Sequence, residues 1–240
     1  MKLLIIAILC VMVVTAIAGG KKSRFLTEDG VEIIGSLWVP ERDVSPCVIL
    51  LHMLGRTRAD WDDMAETLVN RGYAVVSIDL RGHGESTNQN DSTIDVAEFD
   101  TDDYQSMALD VKAVLEVIRN DVRIDASKIA IMGASIGANV ALQAAAVDPE
   151  IATVILLSPG KSYRGIRTDT ALLDYGKRSV LIVASDEDEY AANSSRYLKE
   201  LSQGYSKLLI YNNIGHGTEM LEGLTDMESE IMSWLELYLQ

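Results

Sequence analysis

The sequence predicts an α/β fold: a mostly parallel central sheet with helices on both faces. Three observations predict it. Short, continuously apolar runs recur along the chain, as expected of strands buried on both faces. Between them lie stretches with apolar residues at the three- and four-residue spacing of amphipathic helices. The two kinds alternate, and repeated strand–helix units build a parallel sheet covered on both sides. A length of 240 residues suits one such domain, and a 48% hydrophobic composition supplies its core.

In chain order, residues 1–20 stand apart. Lys2 precedes an apolar run over residues 3–18, followed by Gly19-Gly20 and then Lys21, Lys22 and Arg24. This pattern is expected of a signal peptide, or of a membrane anchor that attaches the chain through residues 3–20. The expectation is an exported or membrane-anchored protein. The basic residues after the run leave a cytoplasmic-facing anchor as the alternative. Residues 21–240 are read as the α/β domain.

Within that domain, residues 31–39 read as a strand that ends at Pro40, and residues 47–53 as a buried strand. Residues 60–71 have helical spacing, with Trp61, Met64, Ala65 and Leu68 on one face and Gly72 at the end. Residues 73–80 are the next buried strand, and the polar, acidic residues 86–100 a loop. Residues 103–120 predict one long amphipathic helix through Met107, Val111, Val114, Leu115 and Ile118. A strand at 128–132 and a small-residue helix at 138–146 follow. Strands are then expected at 153–157, 179–184 and 207–212, and helices near 191–202 and 223–239. Only about twenty residues separate the strands at 157 and 179, room for a loop or one short helix and little or no lid.

Composition narrows the function. A formal charge of −15 argues against nucleic acid as a partner, because phosphate binding needs basic patches. The two cysteines, Cys10 and Cys47, suggest neither a disulfide framework nor a metal site.

The chemistry is read from Gly133-Ala134-Ser135-Ile136-Gly137, a G-x-S-x-G turn between the strand at 128–132 and the helix at 138–146. That setting is what a nucleophile elbow requires, and it marks Ser135 as the nucleophile. A serine hydroxyl needs a histidine to take its proton and a carboxylate to orient that histidine. Of the three histidines, His216 lies in a glycine-flanked loop after the last strand and follows the serine in the chain, which makes it the expected base. His83 also follows a strand but precedes the serine, and is read as shaping its loop. His52 ends a buried strand and is read as structural. The acid is expected within Ser185-Asp186-Glu187-Asp188-Glu189: Asp188 first, because a short turn would carry it back to the histidine loop, with Asp186 as the alternative. The remaining carboxylates read as a solvated charge run. The oxyanion needs two backbone donors. Ile136 N–H, at the start of a helix, is one; Leu54 N–H, with Met53 as alternative, is the other.

Taken in order, Leu51-His52-Met53-Leu54-Gly55, Asp79-Leu80-Arg81-Gly82-His83-Gly84-Glu85-Ser86, the elbow and Gly215-His216-Gly217 resemble the α/β-hydrolase superfamily over residues 25–240. Within it the chain is similar to small, lidless serine esterases of the dienelactone hydrolase-like kind. The resemblance implies an α/β-hydrolase domain, a Ser-His-Asp triad and cleavage of a small-molecule ester with no cofactor and no metal. Two departures stand out. Dienelactone hydrolases proper carry cysteine at the elbow, and the oxyanion strand here reads His52-Met53 where the family has His-Gly. The family's acid sits in a Gly-x-x-Asp turn, which Ser185-Asp186-Glu187-Asp188 matches with serine for glycine. Alternatives on the same triad are a serine aminopeptidase, an acyltransferase or a perhydrolase. A non-catalytic binding protein of this fold is the alternative outside enzymology.

Overall fold

The computed structural model describes residues 20–42, 44–222 and 225–239. The elements in chain order are β1 (Lys21–Leu26), β2 (Val31–Trp38), β3 (Ser45–Leu51), α1 (Asp62–Asn70), β4 (Ala74–Ile78), β5 (Asn88–Gln89), β6 (Ser92–Thr93), α2 (Thr101–Gln105), α3 (Met107–Ile118), β7 (Ile124–Ala134) and α4 (Ile136–Val147). Then follow β8 (Ile151–Leu157), β9 (Ser162–Tyr163), β10 (Ile166–Arg167), α5 (Thr168–Tyr175), β11 (Ser179–Ser185), α6 (Glu189–Leu201), β12 (Ser206–Tyr211) and α7 (Thr225–Leu239).

The main sheet runs in the order β12-β11-β8-β7-β3-β4-β2-β5-β6, with β1 paired to β2. From β12 to β4 all neighbours are parallel. The sheet turns antiparallel at β2, which pairs with β4 and β1. Side chains alternate between the two faces, as the pleat requires. Ile49, Leu51, Ile131 and Val154 pack with Val111, Val114 and Leu142 of α3 and α4. Val48, Leu50, Met132 and Ile155 pack on the other face with Trp61 and Leu68 on the α1 side and Ile231 and Leu235 of α7. Because the central strands are parallel, the loops after β3, β7, β8, β11 and β12 emerge at one edge, where sites form in sheets of this kind. The fold class expected from the sequence is the one observed.

Four local features differ from expectation. The single helix expected at 103–120 is two that meet at Ser106, whose hydroxyl donates to Asp102 O at 2.8 Å beside its own backbone N–H at 2.9 Å. The loop expected at 86–100 contains the β5–β6 ribbon. Strand β1 was not expected, since Phe25 is its one buried residue and it carries little apolar pattern. The stretch between β8 and β11 holds the β9–β10 hairpin as well as the short helix α5. The exported or membrane-anchored placement is corrected: among the described residues no helix is long and apolar enough to cross a membrane. The segment that prompted it, residues 3–18, lies outside the described residues, as does Cys10, whereas Cys47 is fully buried in β3.

Candidate active site

Ser135 joins β7 to α4 with φ 54° and ψ −120°, a left-handed conformation that costs energy in any residue with a Cβ. The flanking glycines make that turn sterically feasible. A Cβ at Gly133 would lie 2.1 Å from Gly137 O, and one at Gly137 would lie 2.5 Å from the carbonyl oxygens of Leu51 and His52. The helix therefore starts directly against β3, and Ser135 N is fixed by donating to Leu157 O at 2.8 Å. Ile136 is the first residue of α4, where backbone N–H groups have no helical acceptor. Ser135 is 7% exposed, among the loops at the strand ends.

The acidic turn after β11 is joined to the histidine loop residue by residue. Asn213 N donates to Asp186 Oδ1 at 3.0 Å, Ile214 N to Ser185 Oγ at 3.0 Å and Gly215 N to Glu187 Oε1 at 2.6 Å. His216 Nδ1 then hydrogen-bonds Asp188 Oδ2. Of the two acid candidates, Asp188 therefore lies against His216 and Asp186 against the backbone of Asn213. Asp188 also caps α6, its Oδ1 accepting from Ala191 N at 3.2 Å, which fixes the carboxylate from both sides. Asp186 and Glu187 are exposed, as a solvated charge run would be, and also accept backbone N–H groups of the histidine loop. The hydrogen bond from Ser185 and the Gly215 N–H hold the Glu187 carboxyl down to about 2. The sequence signal for this arrangement is a run of short acceptors after one parallel strand facing a loop of free N–H groups after the next.

On the other side of Ser135, the turn after β3 closes with Arg56 N donating to Met53 O at 3.1 Å, with Leu54 and Gly55 at its corners. Gly55 has φ +74°, as the third position of a type II turn requires. Fully buried His52 holds this turn. Its Nδ1 donates to Met53 O at 2.8 Å, and its Nε2 accepts from Leu80 N at 2.9 Å. That pairing requires a neutral ring, and burial, with His83 beside it, pushes His52 down to about 4. His83 packs edge-on against His52 with centroids 4.9 Å apart and donates from Nδ1 to Arg81 O at 3.0 Å. Both histidines thus sit beneath the loops, as the sequence reading has them.

Three further residues went unread in the sequence. Asp60 accepts from Arg56 Nε at 2.8 Å and from Thr218 Oγ1 at 3.1 Å, which ties the turn after β3 to the histidine loop. Ser158, at the end of β8, accepts from Gly217 N at 3.0 Å. Tyr163 of the β9–β10 hairpin faces the His216 ring perpendicularly, with centroids 6.5 Å apart, and is a neighbour of the Ser135 side chain.

Residues 42–173 match the profile of the Hydrolase_4 family, described as serine aminopeptidase S33. Among characterised relatives, 2,6-dihydropseudooxynicotine hydrolase of Paenarthrobacter nicotinovorans is 31% identical over 54% of this chain and 33% of its own length. The bifunctional esterase/perhydrolase DCH of Acinetobacter calcoaceticus is 37% identical over 38% of this chain and 29% of its own. The match thus spans about a third of the length of these relatives. Dienelactone hydrolase of Anabaena variabilis superposes with a TM-score of 0.72 at 20% identity, covering 93% of this chain and 100% of that one. An esterase of Pyrococcus furiosus does so with a TM-score of 0.70 at 18% identity, covering 92% and 90%. These structures share the fold, and the profile covers more than half of the sequence: the chain belongs to the serine aminopeptidase S33 family of α/β hydrolases.

Proposed function

We propose that the chain is a serine hydrolase that cleaves small carboxylic esters through an acyl-enzyme. The observation that carries the reading is Ser135, strained at φ 54° at the start of α4, on the same sheet edge as a histidine already paired with a carboxylate. The Asp188 carboxylate accepts a hydrogen bond from His216 Nδ1–H, which fixes the tautomer whose Nε2 carries the lone pair that accepts the Ser135 proton. Ser135 Oγ bonds to the acyl carbon, and the carbonyl oxygen becomes an oxyanion facing Ile136 N–H and Leu54 N–H, with Met53 N–H as the alternative second donor. The tetrahedral intermediate expels the alkoxide, which takes the proton from His216. Water then gives a proton to the same nitrogen and adds to the acyl carbon; collapse breaks the bond to Ser135 Oγ, which takes the proton back from His216 as the acid leaves. The short segment between β8 and β11 leaves this cleft without a lid domain, which favours small soluble esters.

A second reading keeps the triad and changes the leaving group to an amine, as the family's description suggests. Turnover of short p-nitrophenyl esters and of aminoacyl p-nitroanilides, each with Ser135→Ala as control, tests both. Ester turnover lost in Ser135→Ala is expected. Anilide turnover alone moves the assignment to the aminopeptidase, and turnover that survives the substitution contradicts both.

A further inference from the structure

We propose that Tyr163 is the specificity-determining residue of this site: its ring closes the β8 side of the cleft and limits the acyl group on Ser135 to short chains. The inference rests on the reading of Ser135 as nucleophile and adds the substrate class.

The hairpin that carries Tyr163 is fixed far more firmly than an eight-residue surface excursion needs to be. Asn139, fully buried one turn after Ser135 on α4, accepts from Gly160 N at 3.1 Å and donates to Ile166 O at 2.8 Å, spanning both ends of the hairpin. Thr168 Oγ1 donates to Gly160 O at 2.7 Å, and Lys161 N donates to Ser194 Oγ at 2.9 Å. Tyr190, two residues after Asp188, accepts from Ser162 N at 3.0 Å and donates to Ser162 O at 2.9 Å. The nucleophile helix and the acid helix therefore both hold the segment that presents Tyr163.

The ring itself sits in a made slot. It lies flat on Gly160, where an added Cβ would fall 2.6 Å from Tyr163 Cε2. On its other flank it meets Tyr190 edge-on, with centroids 5.5 Å apart. Its hydroxyl reaches Ser158 O at 3.5 Å beside the Ser135 side chain. Burial, with Asp188 nearby, pushes the phenol up, so it stays a neutral hydrogen-bond donor across the working pH range.

In the sheet order, β7 with Ser135 lies between β3 and β8. A carbonyl oxygen turned to the donors on the β3 side leaves the acyl chain facing Tyr163, while the alcohol departs past His216, whose side chain is 37% exposed.

The test compares wild type, Tyr163→Phe, Tyr163→Ala, Gly160→Ala and the Gly160→Ala/Tyr163→Ala double variant. Each is assayed on p-nitrophenyl acetate and octanoate, and for Ser135 labelling by short- and long-alkyl fluorophosphonates. Thermal melts verify that each variant is folded. Tyr163→Ala should raise the long-to-short ratio of kcat/KM and of labelling rate at least about tenfold. Tyr163→Phe should leave the ratio unchanged. Gly160→Ala should shift the ratio when Tyr163 is present and not in the Tyr163→Ala background, which a general loosening of the hairpin would not reproduce. Ser135 labelling that persists with an unchanged ratio in Tyr163→Ala overturns the inference alone. Failure of every probe to label wild-type Ser135 overturns the nucleophile reading and this inference with it.

Discussion

The turn after β3 and the loop after β12 reach Ser135 from opposite sides of β7, and each is held by hydrogen bonds to its backbone. The partners differ. The turn after β3 hangs on a fully buried neutral imidazole, His52, set between Met53 O and Leu80 N. The loop after β12 hangs on a hydroxyl and exposed carboxylates, Ser185, Asp186 and Glu187, with Asp188 on His216 itself. Acid therefore attacks the two sides at different points. His52 has an ordinary value of 6.5 and titrates near 4 in the folded chain, so folding is weakened as pH falls across that window. Glu187 moves from 4.5 to about 2, so its contribution is complete above 4.5 and is lost as pH falls through 2. The donor side should loosen while the base side still holds.

The largest effect expected on the base side comes from Asp188→Asn. The amide still caps α6, so the fold is kept, but it no longer holds His216 in the tautomer that leaves Nε2 free; ester turnover should drop by about 10⁴-fold at unchanged Tm. On the donor side, Leu54→Pro removes one N–H at a turn position that accepts proline, and kcat should fall about 10²–10³-fold with the melt little changed. A loss seen only in Met53→Pro would instead assign the second donor to Met53. Smaller again is the acid response. Between pH 7 and about 4 the Tm of wild type should fall more steeply than that of His52→Gln, measured over the same series. Parallel slopes would break the proposed contrast between the two sides. The smallest effect is that of Glu187→Gln. The amide oxygen still accepts from Gly215 N, so activity should change less than in any variant above, with faster hydrogen exchange at Gly215 as the detectable sign.

Much of this architecture is legible in the sequence, because continuously apolar strands such as β3, β8 and β11 leave no other place for Ile49, Val154 or Ile182 than a two-sided core. The elbow is legible because two glycines must sit where β7, α4 and β3 touch. What escapes is of another kind. Strand β1 is held by pairing to β2 and not by its own pattern. Tyr163 is brought to the cleft by Asn139 and Tyr190, 24 residues before it and 27 after it, in contacts that leave no local periodicity. The choice between Asp186 and Asp188 likewise turns on which of them meets an N–H and which the imidazole. Carboxylates two residues apart in one turn do not show that before the loop of β12 is placed.

Whether Ser135 is the nucleophile is decided by treating the protein with a fluorophosphonate and mapping the adduct by peptide mass. A single adduct on Ser135 is expected in wild type and none in Ser135→Ala. An adduct that persists in Ser135→Ala, or a wild-type Ser135 left unmodified, would contradict it.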